Sequence, residues 1–365
     1  MAETRDEAMM RRALALAERG RYSTSPNPMV GAVIARAARV VGEGHHRRAG
    51  GPHAEIVALA RASAAARGAT LYVTLEPCAH IGRTGSCAEA IVDAGIARVV
   101  ACRRDPNPIV AGRGFRRLRR AGIVVETGLF AHESALQNER FDVWVRERRP
   151  FVLAKVAATL DGRIADFRGR SQWISGKEAR RRSLEWREEF DAILVGAGTA
   201  ARDGSLLIRS LGWNRTRSQR RIVLDGSFRA PESLPLFRSP EGVEVWTASR
   251  AGAAKERRLA KRGVRTVRLP PGRKEGTVDI GAALARLGNE EITGLIVEGG
   301  TQTLTAFHEA RLIDRWAIIL APRLLGGADA WPLLAGEGVP LEKARALSDV
   351  TVTVLGHDLL LSGRT

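Results

Sequence analysis

Along the first 130 residues, apolar positions switch between helical spacing and short strand-like runs. Asp6 to Glu18 (DEAMMRRALALAE) repeats apolar residues at helical intervals, with Arg19-Gly20 behind it as a stop. Met29 to Ala35 (MVGAVIA) and Arg39 to Val41 read as strands joined by a short turn. His53 to Arg67 is rich in Ala and halts at Gly68, a residue suited to a helix C-terminus. Leu71 to Leu75 is a β-branched and aromatic strand, and Cys87 to Ala94 a short helix closed by Gly95. A strand over 97–101, a helix over 115–121 and a strand over 123–126 continue the alternation, which predicts an α/β layered sheet.

The charged stretch Arg146 to Arg149 ends at a proline, and a new apolar run begins at Phe151. The domain boundary is placed there, giving residues 1–149 and 150–365. The second half restarts the pattern, with strands expected at 151–157, 191–196, 220–224, 243–248, 264–268, 293–298 and 315–321. Helices are expected near 177–190, 253–262, 279–287 and 301–311, and two final strands near 350–355 and 357–362. Pro- and Gly-containing stretches at 225–242 and 269–277 read as loops.

Composition narrows the class. The chain has 365 residues, 44% hydrophobic and 27% charged, which suits two ordinary globular domains rather than a disordered chain. No stretch approaches the roughly 18–20 apolar residues of a membrane span. Acids stand in Met1 to Glu7 where a secretory signal has bases, so a soluble cytoplasmic protein is expected. The formal charge of +18 raises the question of nucleic acid, since phosphate neutralisation drives non-specific affinity. Yet only six of the 58 basic residues are Lys, the Arg residues are scattered, and aromatics make up 5% of the chain, leaving few platforms for bases. Small phosphorylated ligands explain the sign of the charge equally well. Three cysteines, 78, 87 and 102, do not make a disulfide framework; Cys102 ends an apolar run and reads as core.

Chemistry concentrates at Pro52-His53-Ala54-Glu55 and Pro77-Cys78, with eight residues between Cys78 and Cys87. His53, Cys78 and Cys87 can fill three positions of a tetrahedral zinc and leave one for water, whose pKa zinc lowers toward neutrality. Glu55, two residues past the His at a helix start, is suited to shuttle protons between water, ring nitrogen and leaving amine. Cys87 opens a helix, where the dipole favours thiolate. The arrangement is similar to the His-x-Glu and Pro-Cys-x-x-Cys signature of zinc nucleobase deaminases, although the cysteine spacing differs.

The run Glu76-Pro77-Cys78-Ala79-His80-Ile81-Gly82-Arg83-Thr84-Gly85-Ser86-Cys87 sharpens that likeness. With Ser25-Pro26-Asn27-Pro28-Met29-Val30-Gly31, Arg104-Asp105-Pro106-Asn107-Pro108 and Val110 to Gly114, it resembles the bifunctional riboflavin-biosynthesis deaminase–reductase family. The resemblance implies a cytidine-deaminase-like three-layer α/β/α domain that removes an amine from a diaminopyrimidinone bearing a phosphoribosylamino group. It implies that Asn27, His46, His80, Arg83, Asp105 and Asn107 contact the pyrimidine or its phosphoribosyl tail. Asn27 between prolines and Asp105-Pro-Asn-Pro also read as plain turns. Where the family commonly has two prolines before the second cysteine, this chain has Gly85-Ser86.

In the second half no Gly-x-Gly-x-x-Gly follows a strand, so the ordinary Rossmann fingerprint is absent. Two glycine-bearing strand ends, Val195 to Thr199 and Val297 to Thr301, are of the kind that let backbone N–H groups approach phosphate. Lys155 to Arg163, Ser171-Gln172-Trp173-Ile174-Ser175 and Glu298-Gly299-Gly300 are similar to the family's dihydrofolate-reductase-like α/β domain, which uses NADPH to reduce the ribosyl chain to ribityl. The resemblance implies an NADPH site at Ala157, Trp173, Thr199, Asp203, Gly300, Thr301, Gln302, Thr303, Leu304, Thr305 and Ala306. It implies substrate contacts at Ser171, Arg187, Leu206, Arg209 and Glu298. Lys155 is the candidate for the polar group nearest the opened sugar. The segment Thr199 to Arg209 is one residue shorter than the family pattern and lacks its proline.

The expectation is a two-domain enzyme with Zn2+ and NADPH as cofactors, acting on a phosphorylated pyrimidine, with no nucleic-acid or membrane partner and a dimeric or tetrameric assembly. Two rivals are a tRNA or other nucleic-acid deaminase with an appended binding domain, and a zinc-stabilised binding module without catalysis.

Overall fold

The computed structural model describes residues 3–79, 85–203, 211, 219–250 and 252–365, except the side chain of Asp203. The chain divides into two compact units, separated in sequence between Arg148 and Arg149.

The first unit contains α1 (Arg5–Glu18), β1 (Gly31–Arg36), β2 (Arg39–His45), α2 (Ala54–Ala62), β3 (Thr70–Val73) and α3 (Cys87–Asp93). It continues with β4 (Arg98–Ala101), α4 (Arg113–Arg120), β5 (Val124–Thr127), α5 (Ala131–Gln137) and α6 (Glu139–Glu147). Among the described residues the strands lie in the order β2-β1-β3-β4-β5. β1 runs antiparallel to β2 and β3, whereas β3, β4 and β5 are parallel. Side-chain alternation sorts the apolar residues into two layers. Ala32 and Ile34 join Ala58, Ile91 and Leu118 of the helices on one face; Val33, Ala35 and Cys102 pack with Met10 and Ala13 of α1 on the other.

Local chemistry sets the helix starts. Thr4 and Glu7 form a reciprocal capping box at α1, Glu7 N donating to Thr4 Oγ1 (3.3 Å) and Thr4 N to Glu7 Oε2 (2.7 Å). The apolar pattern assigned no element to 131–147, because buried Phe141, Val143 and Val145 recur at the strand period of two although they lie in α6. Asn138, between the two helices, accepts from Met29 N (2.8 Å) and donates to Met29 O (3.0 Å), completing backbone bonds just ahead of β1.

The second unit contains β6 (Phe151–Thr159), β7 (Arg163–Ala165), α7 (Lys177–Glu189), β8 (Ala192–Gly196), α8 (Ala197–Asp203), β9 (Arg220–Leu224), β10 (Val243–Thr247) and α9 (Ala253–Lys261). It continues with β11 (Arg265–Arg268), α10 (Ile280–Asn289), β12 (Gly294–Val297), α11 (Thr301–Glu309), β13 (Arg315–Ala321), β14 (Trp331–Pro332), β15 (Ser348–Leu355) and β16 (Asp358–Arg364). Its main sheet has the order β11-β10-β9-β8-β12-β6-β13-β16-β15. Pairing is parallel from β11 to β13 and antiparallel for the last two strands. The parallel strands are apolar on both sides, as Ala192 to Val195 and Leu295 to Val297 show. Two short strands, β7 and β14, pair with each other, and neither is long enough to leave a periodic signal.

Close approach of α2 to β2 depends on two glycines. A Cβ at Gly42 would lie 2.3 Å from the Ala58 carbonyl oxygen, and one at Gly44 2.5 Å from that of Ala54. Gly44→Ala must therefore push back the end of α2 that begins at His53. We expect it to cost about 1–3 kcal/mol of first-unit stability, read as a lower urea midpoint; an unchanged midpoint would show that α2 yields freely.

Candidate active sites

In the first unit two helix starts and one strand end converge. His53 is the N-cap residue of α2, Cys87 is the first residue of α3, and Cys78 lies five residues past β3. His53 Nδ1 is 3.2 Å from Cys87 Sγ and 3.6 Å from Cys78 Sγ, and all three donor atoms lie within 4.8 Å of one another. Tetrahedral zinc, with Zn–N near 2.0 Å and Zn–S near 2.3 Å, requires nitrogen–sulfur separations of roughly 3.6 Å. The Cys78 distance matches that value and the Cys87 distance falls a few tenths of an ångström short, so a small adjustment at Cys87 would admit the ion. Gly85-Ser86, the departure from the family's prolines, does local work: Ser86 Oγ accepts from Glu89 N (3.3 Å), capping α3, and donates to Cys78 O (3.2 Å). The Cys78 thiol is held well below its ordinary value, by hydrogen bonding from Cys87 first and His53 after it.

Glu55, in the first turn of α2, is 4% exposed, and burial pushes its carboxyl up to about 7, with His53 opposing. Such a carboxyl can both take and give a proton near neutrality. His46 packs edge-on against His53, ring centroids 5.5 Å apart. Its Nδ1–H donates to Pro52 O (3.0 Å), so its Nε2 accepts from Asn27 Nδ2 (3.1 Å). Burial also lowers its pKa and keeps the ring neutral. Asp105 and Asn107 close their own turn: Asn107 N donates to Asp105 Oδ1 (2.8 Å) and Ile109 N to Asn107 Oδ1 (3.1 Å). His80 and Arg83 lie outside the described residues.

In the second unit a cavity of about 470 Å³ opens beside the carboxyl ends of β8, β12 and β6. Its wall brings together Lys155, Ala157, Ser171, Trp173, Arg187, Thr199, Glu298 and Gly300, which are far apart in the chain. Parallel pairing of Val297 with Ala154 sets Glu298 one step on beside Lys155. From α7, Arg187 grips Glu298 with two nitrogens, Nε to Oε1 at 3.1 Å and Nη2 to Oε2. Burial pulls the Lys155 ammonium below its ordinary pKa, while Glu298 pulls it back up. Gly300 N donates to Thr199 Oγ1 (3.0 Å), so the two glycine-bearing turns are joined to each other.

The cavity also recruits residues without a sequence signal. Arg180 stacks over Trp173 at 4.7 Å and Arg202 over Trp331 at 4.6 Å, and all four line the wall. Among the described lining residues are six bases (Lys155, Lys177, Arg180, Arg181, Arg187 and Arg202) and one acid, Glu298. Thr301, Gln302, Thr303, Leu304, Thr305 and Ala306 form the start of α11 behind that wall. Leu304 is fully buried in the core, Thr301 Oγ1 donates to Pro332 O, and Thr305 Oγ1 accepts from Ala335 N (2.9 Å). Leu206 and Arg209 lie outside the described residues, as does the side chain of Asp203.

A zinc-binding deaminase domain followed by an α/β reductase domain is the class these folds and sites define when set beside the known families. Residues 3–103 match the family described as the cytidine and deoxycytidylate deaminase zinc-binding region, and residues 150–361 the RibD C-terminal domain. Over 98% of its length the chain is 37% identical to the riboflavin biosynthesis protein RibD of Aquifex aeolicus, covering 97% of that protein. The solved structure of Acinetobacter baumannii RibD superposes with a TM-score of 0.87 at 37% identity, covering 99% of this chain and 98% of that one. A Thermotoga maritima diaminohydroxyphosphoribosylaminopyrimidine deaminase/5-amino-6-(5-phosphoribosylamino)uracil reductase gives 0.85 at 33% identity, with 99% and 98% covered. The chain belongs to the RibD family of riboflavin biosynthesis proteins.

The Arg187–Glu298 contact carries a stability prediction. Both side chains are only 9% exposed, so Glu298→Gln removes the carboxylate charge that Arg187 grips and that faces Lys155. The expected loss is about 3 kcal/mol, seen as a lower unfolding midpoint of the second unit by tryptophan fluorescence. An unshifted midpoint would mean that the cavity already solvates these charges.

Proposed function

We propose that this bifunctional riboflavin-biosynthesis enzyme acts twice on one phosphorylated pyrimidine. Residues 1–149 hydrolytically deaminate 2,5-diamino-6-(5-phosphoribosylamino)pyrimidin-4-one to 5-amino-6-(5-phosphoribosylamino)uracil. Residues 150–365 then reduce its ribosyl chain to ribityl with NADPH. The observation that carries this reading is the juxtaposition of His53, Cys78 and Cys87 beside the buried Glu55 carboxyl.

His53, Cys78 and Cys87 would hold the zinc, and zinc, when bound, supplies a water-derived nucleophile at neutral pH. Glu55 takes one proton from water and gives it to the ring nitrogen, then carries the second, from the hydroxyl of the adduct, to the departing amine, which leaves as ammonia. Water adds at the amine-bearing carbon, the carbon–nitrogen bond breaks, and no redox equivalent is consumed. Asn27, ahead of β1, and His46, just after β2, are bonded to each other and would meet the pyrimidine, as the family resemblance implies. His80, Arg83, Asp105 and Asn107 complete the substrate contacts by family resemblance.

In the second cavity, NADPH would lie along Ala157, Trp173, Thr199 and Gly300 and supply a hydride, with Asp203 added by family resemblance; of positions 301–306, which the resemblance also implies, none is among the described lining residues and Leu304 is buried in the core. The excess of bases over acids on the wall suits the phosphates of cofactor and substrate. By family resemblance Ser171, Arg187, Leu206, Arg209 and Glu298 would hold the substrate, and Lys155 would meet the opened sugar, where the anomeric carbon accepts hydride. Orientation of that carbon is the protein's main contribution. No helix among the described residues is long and apolar enough to cross a membrane. The outermost strand β15 leaves Val350, Val352 and Val354 at least 50% exposed, which supports a homo-oligomer closed by that edge. A nucleic-acid partner finds no support in the aromatic content, and a cytoplasmic location suits the chemistry.

Incubation of the purified protein with the diaminopyrimidinone phosphoriboside should release ammonia without NADPH and yield the ribityl product with it. Deamination unaccompanied by reduction would sink the second half of the reading. Glu55→Gln should lower deamination by 100-fold or more, on the order expected for a lost general acid–base, while zinc content by mass spectrometry stays at the parent level. Normal turnover in that variant would favour a zinc-stabilised module instead. Lys155→Met should abolish ribityl formation and leave ammonia release intact, as followed by chromatography of the two products.

A further inference from the structure

Two residues before Cys78, a buried carboxylate collects four backbone N–H groups from a distant segment. Glu76 is 4% exposed. Its Oε2 accepts from Gly112 N (2.8 Å) and Asp105 N (3.2 Å), and its Oε1 from Gly114 N (2.9 Å) and Phe115 N (3.2 Å). Gly112 is the N-cap residue of α4, whose opening N–H groups have no partners within the helix. Gly112 has no side chain to cap them and the first turn holds no acid, so Glu76 caps α4 from 36 residues away. The backbone reinforces the join, Glu76 N donating to Arg103 O (3.1 Å). Gly114 permits it, because a Cβ there would lie 1.9 Å from Pro77 O.

A local Ser or Asp ahead of α4 would satisfy the same helix start. Only a carboxylate reaching from the Glu76-Pro77-Cys78 segment also ties that start, and the turn beginning at Asp105, to a metal ligand. We propose that Glu76 is a positioning residue for the deamination. Its carboxylate keeps the turn 105–111, where the family resemblance puts the substrate contacts Asp105 and Asn107, in register with the His53, Cys78 and Cys87 donors. The inference rests on the deaminase reading above and deepens it by adding a residue that touches neither metal nor pyrimidine.

The test is Glu76→Gln in the full-length enzyme. The amide keeps the shape but turns one acceptor into a donor facing two buried N–H groups. Deaminase kcat/KM, normalised to zinc-bearing protein, should fall about tenfold or more, carried mainly by a higher KM for the diaminopyrimidinone phosphoriboside. Reduction of separately supplied deaminated intermediate should stay at the parent rate. A purely structural cap predicts otherwise: losses would follow the fraction of chains that fold or hold zinc, with the parent KM in the remainder, and that result overturns the proposal. If the Gln variant gives no folded protein, Glu76→Asp, which keeps the charge but is one methylene short, is judged by the same KM criterion. Failure of the parent enzyme to release ammonia would instead remove the deaminase reading itself.

Discussion

Parallel pairing of adjacent strands is the constraint on which both sites depend. When neighbouring strands run the same way, their carboxyl ends emerge side by side, and the loops beyond them meet. In the first unit, β3 and β4 pair Val73 with Ala101, which carries Cys78 and the Asp105 turn out of the same edge. In the second, β8, β12 and β6 pair in parallel, so that Thr199, Glu298 and Lys155 arrive together from three separate stretches of the chain. Antiparallel neighbours would have sent alternate chain ends to opposite edges.

Buried charge is handled differently at each centre, and the difference matches the chemistry. Glu76 has its charge spread over four backbone N–H groups and stays fixed. Glu298 is neutralised by Arg187 and Lys155, an arrangement with a surplus of positive charge that favours anionic ligands. For Glu55 burial outweighs the opposing His53 charge and hydrogen bonds, and lifts its carboxyl into the range where proton transfer is facile. Ion pairs such as Arg103–Asp142, Arg149–Asp314 and the Arg98 bridge to Asp6 and Glu126 match bases with acids and leave the +18 to bases beyond the number of acids. Part of the remainder lines the second cavity, where phosphates belong.

Legibility in the sequence followed the length and regularity of each signal. The apolar runs at 220–224 and 315–321 are the strands β9 and β13, since a buried parallel strand needs little beyond continuous apolar residues. Helices α5 and α6 escaped, because Phe141, Val143 and Val145 mimic a strand, and what holds them in place is Asn138 bonding Met29 far away in sequence. His53, Glu55, Cys78 and Cys87 were readable because metal chemistry restricts residue type and spacing. Arg180, Arg202 and Trp331 were not, because stacking on a tryptophan imposes no spacing along the chain.

By itself, then, the sequence determined the alternation of strands and helices and the family, and it pointed to a break near Arg149 and to His53, Cys78 and Cys87 as candidate metal ligands, all of which reside in local pattern or residue type. Tertiary structure decided what local pattern does not encode. Strand order set Glu298 beside Lys155, and glycines at 42 and 44 let α2 descend onto β2. It also turned Glu76, in sequence merely the residue ahead of Pro77-Cys78, into a distant helix cap. The physical reason is that hydrogen bonds and ion pairs between remote segments are selected by geometry after collapse, and proximity along the chain does not specify them.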